Sequence, residues 1–259
     1  MAEHRPNPRS ASGARSALRT AVVWDVLQTE LAGIAGTARV VDLGGGTGGF
    51  AVRVAELGHQ VTVVDPSPDA LAALDRRAAD ADVVGRVRGV QGDASDLPRL
   101  VADGVVDASM DVVLCHGVLE VVDDPGGALA AMAAVLRPDG LLSVLVANRL
   151  AAVVARALAG HFDQARTLLG ASPVDAAEEG DAGTRGPRRY TRDEAVALLR
   201  EHGFDLRTVH GVRVFTDLVP SPLTEPGAQA ALLALERTAA DVPELAAVAA
   251  QLHLLARRG

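Results

Sequence analysis

Lysine is absent from this chain of 259 residues, and all 25 of its basic residues are arginine. That excludes every mechanism built on an amine side chain, from a Schiff base to a Walker-type phosphate lysine. Aromatic side chains are scarce, at one Trp, one Tyr and four Phe, so the core must be built from Ala, Val and Leu. The single cysteine, Cys115, leaves no disulfide framework and no cysteine-based zinc site, and suits a reducing cytoplasm. Long apolar runs are also missing. Segments such as Leu141–Ala147 fall far short of the ~20 residues that span a bilayer. The first twenty residues place Arg5, Arg9, Arg15 and Arg19 among Pro, Ser and Ala, without the apolar stretch of a secretion signal. A soluble, cytoplasmic protein without a membrane partner is expected. A formal net charge of −8 argues against general DNA binding.

Apolar residues make up 49% of the chain, enough for one large domain with a real core. Residues 1 to about 16, rich in Arg, Pro and Ser, read as a mobile arm, with one domain over 17–259. Leu18, Val22, Val23, Val26, Leu27 and Leu31 recur at helical spacing and predict a helix over Leu18–Ile34. Strands are expected at Arg39–Leu43, Gln60–Val64, Val87–Gln91, Asp111–Cys115 and Leu141–Ala147. Helices over Phe50–Leu57, Asp69–Ala81 and Gly126–Leu136 lie between them, the last closed by the turn Arg137-Pro138-Asp139-Gly140. This alternation predicts an α/β fold: a doubly wound, mainly parallel sheet with helices on both faces. The continuous apolar runs of its strands suit buried parallel pairing.

After Asn148 the pattern changes. A helical cap is expected over about 149–190, made of the stretch Arg149–Leu169 and the loop Gly170–Arg189. That loop carries Asp175, Glu178, Glu179 and Asp181, then Arg185, Arg188 and Arg189. Thr191-Arg192-Asp193-Glu194 is a capping box opening a helix over Arg192–His202. Residues 204–219 hold a sixth strand, and two helical pieces follow, split by Pro243. Gln251–Ala256 reads equally as a last strand or a frayed helix.

The chemistry concentrates in Val40-Val41-Asp42-Leu43-Gly44-Gly45-Gly46-Thr47-Gly48-Gly49, where a strand turns sharply into a helix. Glycines there let a ligand approach the backbone closely. Asp42, just before the first glycine, would repel a pyrophosphate and attract an ammonium group. Asp65 ends the next strand, where a carboxylate can accept both hydroxyls of a ribose; as a plain helix-capping acid it would need no ligand. After the third strand, Asp93 can accept an adenine amino group, or it is a solvated loop carboxylate. Asp96 reads as solvated.

Through Asp42–Gly48, Asp65, Gly92-Asp93-Ala94 and the turn Leu136-Arg137-Pro138-Asp139-Gly140, residues 39–147 resemble class I S-adenosylmethionine-dependent methyltransferases. The resemblance implies a Rossmann-like fold, with S-adenosyl-L-methionine as cofactor across the carboxyl ends of the strands. A narrower resemblance runs through Leu18-Arg19-Thr20-Ala21, Trp24, Cys115-His116-Gly117-Val118-Leu119-Glu120, Gly160-His161-Phe162-Asp163 and Gly211–Asp217. Here the chain is similar to the bacterial tRNA 5-carboxymethoxyuridine carboxyl-methyltransferases, which esterify the carboxylate of a modified wobble uridine. That resemblance implies cofactor contacts at Arg19, Gly44, Gly45, Asp65, Ala94, Ser95 and His116; Asp42, Gly46 and Asp93 join them from the reading of the loop residues. The family's lysine-rich stretch near 171–184 is acidic here, and the aromatic residues of its arm are missing.

His116 is placed by the resemblance at the methionine end of the cofactor; on its own terms it is equally a hydrogen-bonded histidine capping a helix. Arg213 either neutralises an anionic acceptor or is a solvated strand arginine, with Arg149 and Arg156 behind it as cations. Cys115 reads as inert core, and Glu120, Asp123 and Asp124 as helix-end acids. His59, His202, His210 and His253 show no ligand spacing, so no metal is expected. Three acceptor readings stay open: a carboxylate on a modified tRNA, a small-molecule oxygen or nitrogen, and a nicotinamide-dependent oxidoreductase on the same sheet.

Overall fold

A computed structural model describes residues 8–102, 104, 109–171, 187–219 and 227–259, the side chains of 8–17 and 102 excepted. Its centre is a seven-stranded sheet. Strands β1 (Arg39–Leu43), β2 (Gln60–Asp65), β3 (Val87–Gln91), β4 (Met110–His116) and β5 (Leu136–Ala147) run parallel, while β6 (Phe204–Val212) and β7 (Gln251–Arg258) complete one edge. The spatial order is β3-β2-β1-β4-β5-β7-β6. Strand β7 runs antiparallel to both β5 and β6, with Val144 opposite Leu254 and His210 opposite His253. The end of the chain is therefore a strand. Its Leu252, Leu254 and Leu255 are almost wholly buried, which a frayed helix at a terminus could not achieve.

Helices α2 (Ala51–Glu56), α3 (Pro68–Asp80), α4 (Leu97–Ala102) and α5 (Pro125–Val135) fill the crossovers between parallel strands. Val40, Val41, Leu43, Val63, Val64, Val113 and Leu114 are at most 1% exposed. Each such residue contributes roughly 1.5–3 kcal/mol of burial, which is how a chain so poor in aromatics holds its core. Because β1 and β4 are adjacent yet their crossovers lie on opposite sides, a crevice opens between their carboxyl ends.

Three sequence expectations need correction. Helix α1 runs from Pro8 to Ala32, so residues 8–16, read as a mobile arm, are helical. Pro8 suits the first helical turn, and the Ala and Arg residues after it are good helix formers; residues 1–7 lie outside the described residues. The helix expected to reach Leu136 ends at Val135, and the strand expected from Leu141 begins at Leu136. Arg137-Pro138-Asp139-Gly140 thus lies within β5 as an irregular stretch, with Asp139 at φ +58° and a register shift opposite Met110 and Val112.

The cap leaves and rejoins the domain at one place. Asn148 bridges Tyr190, the Tyr190 N–H donates to the Ala147 carbonyl, and the Arg149 N–H donates to the Tyr190 carbonyl. Between them stand α6 (Arg149–Leu158) and α7 (Phe162–Gly170), and α8 (Arg192–Glu201) follows with its capping box formed as expected. The acidic cluster Asp175–Asp181 and Arg185 lie outside the described residues. Helices α9 (Ala228–Ala239) and α10 (Pro243–Ala246) precede β7. Among the described residues no helix is long and apolar enough to cross a membrane.

Candidate functional site

The turn from β1 into α2 is shaped by Gly44 and Gly46, at φ +66° and +54°, a region that side chains other than glycine's rarely adopt. Asp65, at the end of β2, grips this turn. Its Oδ2 accepts the Gly46 N–H at 2.8 Å and its Oδ1 accepts the Ser67 N–H at 2.9 Å. A carboxylate offers about four acceptor positions, so each oxygen keeps capacity for a ligand hydroxyl. Asp42 lies beneath the turn, 3% exposed. A Cβ at Gly45 would stand 2.5 Å from its carboxyl. Burial pushes the Asp42 carboxyl up to about 7, the Asp65 charge adds to this, and a hydrogen bond from the Ala51 N–H opposes it.

After β3, Asp93 opens a one-turn helix over Ala94–Asp96. Its Oδ1 accepts the Ser95 N–H at 2.7 Å and the Ser95 hydroxyl at 2.6 Å. Asp96, read from sequence as solvated, returns the favour by accepting the Asp93 N–H at 3.0 Å. The tip of this turn is thereby fixed beside the crevice.

His116 ends β4. Its Nε2 lies 2.9 Å from Ser143 Oγ, which lies 2.8 Å from Nε2 of His253. Ser143 and His253 are fully buried. Among the described residues neither Nδ1 has a partner. The serine has one proton to give, so one neutral histidine donates from Nε2 while the other accepts there and carries its own proton on Nδ1. Burial depresses the His116 imidazole to about 4 and lowers that of His253 well below its usual range. Both rings are neutral at pH 7. Phe50 stands edge-on to His116 with ring centroids 4.8 Å apart.

Gly44, Asp65, Asp93, Ala94, Ser95 and His116 together line a cavity of about 660 Å³, closed on its other side by Val118, Val121 and the start of α5. That size lies within the roughly 300–1,000 Å³ of small-ligand sites. Six of the residues singled out from sequence therefore share one space. Asp42, Gly45 and Gly46 are part of its floor loop without lining it. Arg19 and Arg213 do not line it either: both meet Asp217. Arg213, at φ +60°, donates from Nε to Asp217 Oδ2 at 2.9 Å, approaches the same oxygen with Nη2, and reaches Gln251 Oε1 at 3.2 Å. Arg149 is buried and donates to Glu194 Oε1 at 2.6 Å.

Sequence reasoning missed four supports. Glu236 on α9, 1% exposed, accepts the N–H groups of Val214, Phe215 and Thr216 and the Thr216 hydroxyl, all within 2.9 Å, and so fixes the loop carrying Arg213 and Asp217. Nothing in its helical sequence marks it, since the contact spans twenty residues. Ser143 and His253 become visible only once β7 is known to pair with β5. Asp217 stood in the motif already quoted and gave no hint of its partners. Glu120, read as a helix-end acid, braces β5 by accepting the Ala147 N–H at 2.5 Å, and burial pushes its carboxyl up. The Cys115 thiol, buried and pushed up to about 12, is inert as expected. Among the described residues no group of three or more His, Cys, Asp and Glu is placed to hold a metal.

A mainly parallel sheet with a glycine turn at β1, a carboxylate at the end of β2 and a cavity across the strand ends is the architecture of a class I S-adenosylmethionine-dependent methyltransferase, and the chain belongs to that family. Residues 41–144 match the family model described as a methyltransferase domain. The chain is 30% identical over 244 residues to the tRNA 5-carboxymethoxyuridine methyltransferase of Escherichia coli strain K12, covering 93% of this chain and 88% of that one. It is 33% identical over 186 residues to the ubiquinone biosynthesis O-methyltransferase of Xanthomonas euvesicatoria pv. vesicatoria, covering 71% and 67%. In fold it is similar to magnesium protoporphyrin IX methyltransferase from Synechocystis PCC 6803 with bound S-adenosylhomocysteine, at a TM-score of 0.58 and 15% identity over 100% of this chain and 90% of that one. A geranyl diphosphate methyltransferase bound to sinefungin gives 0.58 and 16% over 92% and 79%. The cofactor is S-adenosylmethionine, and the nicotinamide reading falls away.

Proposed function

We propose that this enzyme methylates a carboxylate oxygen, the 5-carboxymethoxy group of a tRNA wobble uridine being the acceptor, in the cytoplasm where tRNA resides. The observation that carries the reading is the setting of His116, which lines the cavity with its Nε2 2.9 Å from the Ser143 hydroxyl. The imidazole beside the cavity is neutral, its affinity for a proton depressed to about 4, so it is a poor general base at pH 7. An acceptor carboxylate, with a pKa near 4, has no proton to remove and needs none. S-adenosylmethionine, when bound, supplies an electrophilic methyl group. The chain's own contribution is then to position, through Asp65 and the Ala94–Ser95 turn on the nucleoside side and His116 on the other, and to exclude water. Arg213 is proposed to hold the acceptor anion alongside Asp217, which it shares with Arg19. The likeness to the Escherichia coli enzyme over 93% of the chain supports the same acceptor.

A small-molecule acceptor is the second reading, and one observation favours it. Asp93, Asp123 and Asp124 line the cavity beside Asp65, a rim that repels a polyanion. Mass spectrometry of tRNA nucleosides from a deletion strain separates the two. Loss of the methyl ester, with accumulation of the free acid, supports the tRNA reading; an unchanged nucleoside profile overturns it.

A further inference from the structure

A second cavity, of about 820 Å³, opens between α1, the start of α2, α3 and α9. It contains none of the residues lining the first, although the two share a wall: Phe50 borders it while standing 4.8 Å from the His116 ring. Its apolar side is formed by Leu18, Trp24, Phe50 and Leu233. Its charged side carries three arginines, Arg53, Arg77 and Arg237, against one carboxylate, Asp25. Arg237 is engaged by Asp25 at 2.7 Å. The Arg53 guanidinium carbon lies over the Trp24 ring, 3.8 Å from its centroid, and the guanidinium makes no hydrogen bond to a described residue; Asp25 and Glu56 act on it only at longer range. Burial lowers its proton affinity, and the charges of Asp25 and Glu56 oppose that shift. Arg77 likewise has no ion-paired carboxylate among the described residues. In a chain of net charge −8, a concave surface with excess positive charge beside the sole tryptophan is a specific feature.

We propose that this second cavity binds a nucleotide phosphate: Arg53 and Arg77 take the phosphate oxygens, and the wall of Phe50 and Leu233 receives the base. Guanidinium N–H groups match phosphate oxygens in charge and geometry, and aromatic walls accept any base. The proposal concerns binding alone and stands whichever acceptor is methylated. The nucleotide is either free or part of an RNA strand, and the chemistry at the arginines is the same.

Trp24 is the only tryptophan, so its emission reports this cavity. The first cavity is saturated with S-adenosylhomocysteine, which keeps other adenosine compounds out of it, and adenosine 5′-monophosphate is then titrated. A saturable change in emission is expected, with Kd raised about tenfold or more in Arg53→Met and in Arg77→Met, while S-adenosylhomocysteine affinity by calorimetry stays within about twofold in both variants. In a second arm a single-stranded RNA oligonucleotide replaces the mononucleotide. Tighter binding that falls steeply with salt assigns the site to an RNA strand; affinity equal to the mononucleotide's assigns it to a free nucleotide. No emission change with either probe at millimolar concentration, or Kd unchanged in both variants, overturns the proposal. Arg77 is exposed, so Arg77→Met remains a valid test if Arg53→Met fails to fold.

Discussion

Arg19 and Arg213 converge on a single carboxylate, that of Asp217, with Arg19 at 3.7 Å from Oδ1 and the Arg213 Nε at 2.9 Å from Oδ2. One arginine comes from α1 and the other from the end of β6, and Glu236 holds the loop that unites them. Two cations sharing one anion can accept a second anion without leaving a charge unmatched. Arg213→Ala is therefore expected to lower kcat/KM for the acceptor by about tenfold or more, the worth of a charged hydrogen bond. Cofactor affinity should change little. Steady-state kinetics beside calorimetry checks the split, and a loss confined to cofactor binding would remove Arg213 from the acceptor side.

Asp65 holds the glycine turn through the Gly46 N–H, and is proposed to hold the cofactor's ribose as well. Asp65→Ala should weaken S-adenosylmethionine binding by roughly 1–3 kcal/mol. Gly46→Val should abolish binding in a folded protein, because a β-branched residue at φ +54° forces the turn to rearrange. Calorimetry reads both, with circular dichroism as the check on folding.

Asp42 makes stability depend on pH in a definite direction. Between the reference value of 3.8 and about 7 the native chain keeps a proton that the unfolded chain releases. Stability therefore falls as pH rises through that window and levels off above it. Asp42→Asn escapes this loss and should gain on the parent as pH rises from about 4 to 8, by up to roughly 4 kcal/mol. His116, depressed to about 4, acts in the opposite sense, costing stability as pH falls from 6.5. The comparison is therefore variant against parent at each pH, by denaturant unfolding. A pH-independent difference would contradict the protonated Asp42.

The central sheet and the residues that gather at the candidate site were legible because both are local. Strand-length apolar runs, a glycine turn and acids at strand ends are written contiguously, and Asp42, Gly44, Asp65, Asp93 and His116 each sit where a strand stops. What was not legible is what β7 brings: an antiparallel strand inserted between β5 and β6 pairs residues more than a hundred positions apart, so the contact of Ser143 with His253 leaves no trace in spacing. Glu236 is hidden because its partners lie 20 to 22 residues back, beyond its own helix. The start of α1 was misjudged because Arg, Pro and Ser can suggest a loop, while Pro at the first turn and alanines after it favour a helix.

Ser143 tests the buried histidine chain. Ser143→Ala leaves both Nε2 atoms without a partner and should destabilise the fold by about 1–3 kcal/mol, with a moderate rate loss as His116 loses its orientation. Urea unfolding and single-turnover rates measure the two effects; an unchanged stability would mean that the chain of hydrogen bonds is not formed in solution.

The most direct test of carboxylate methylation without a general base is the single-turnover rate against pH, with the stability of the product to mild base determined alongside. For the parent enzyme and for His116→Asn the rate should stay flat from about pH 6.5 to 8.5, across the ordinary imidazole range, with only a moderate drop in the variant. The product should be an ester that mild base returns to the acid. A parent rate that climbs through the imidazole range, a climb lost in His116→Asn, and a base-stable product would contradict the account and make His116 a general base acting on a hydroxyl or an amine.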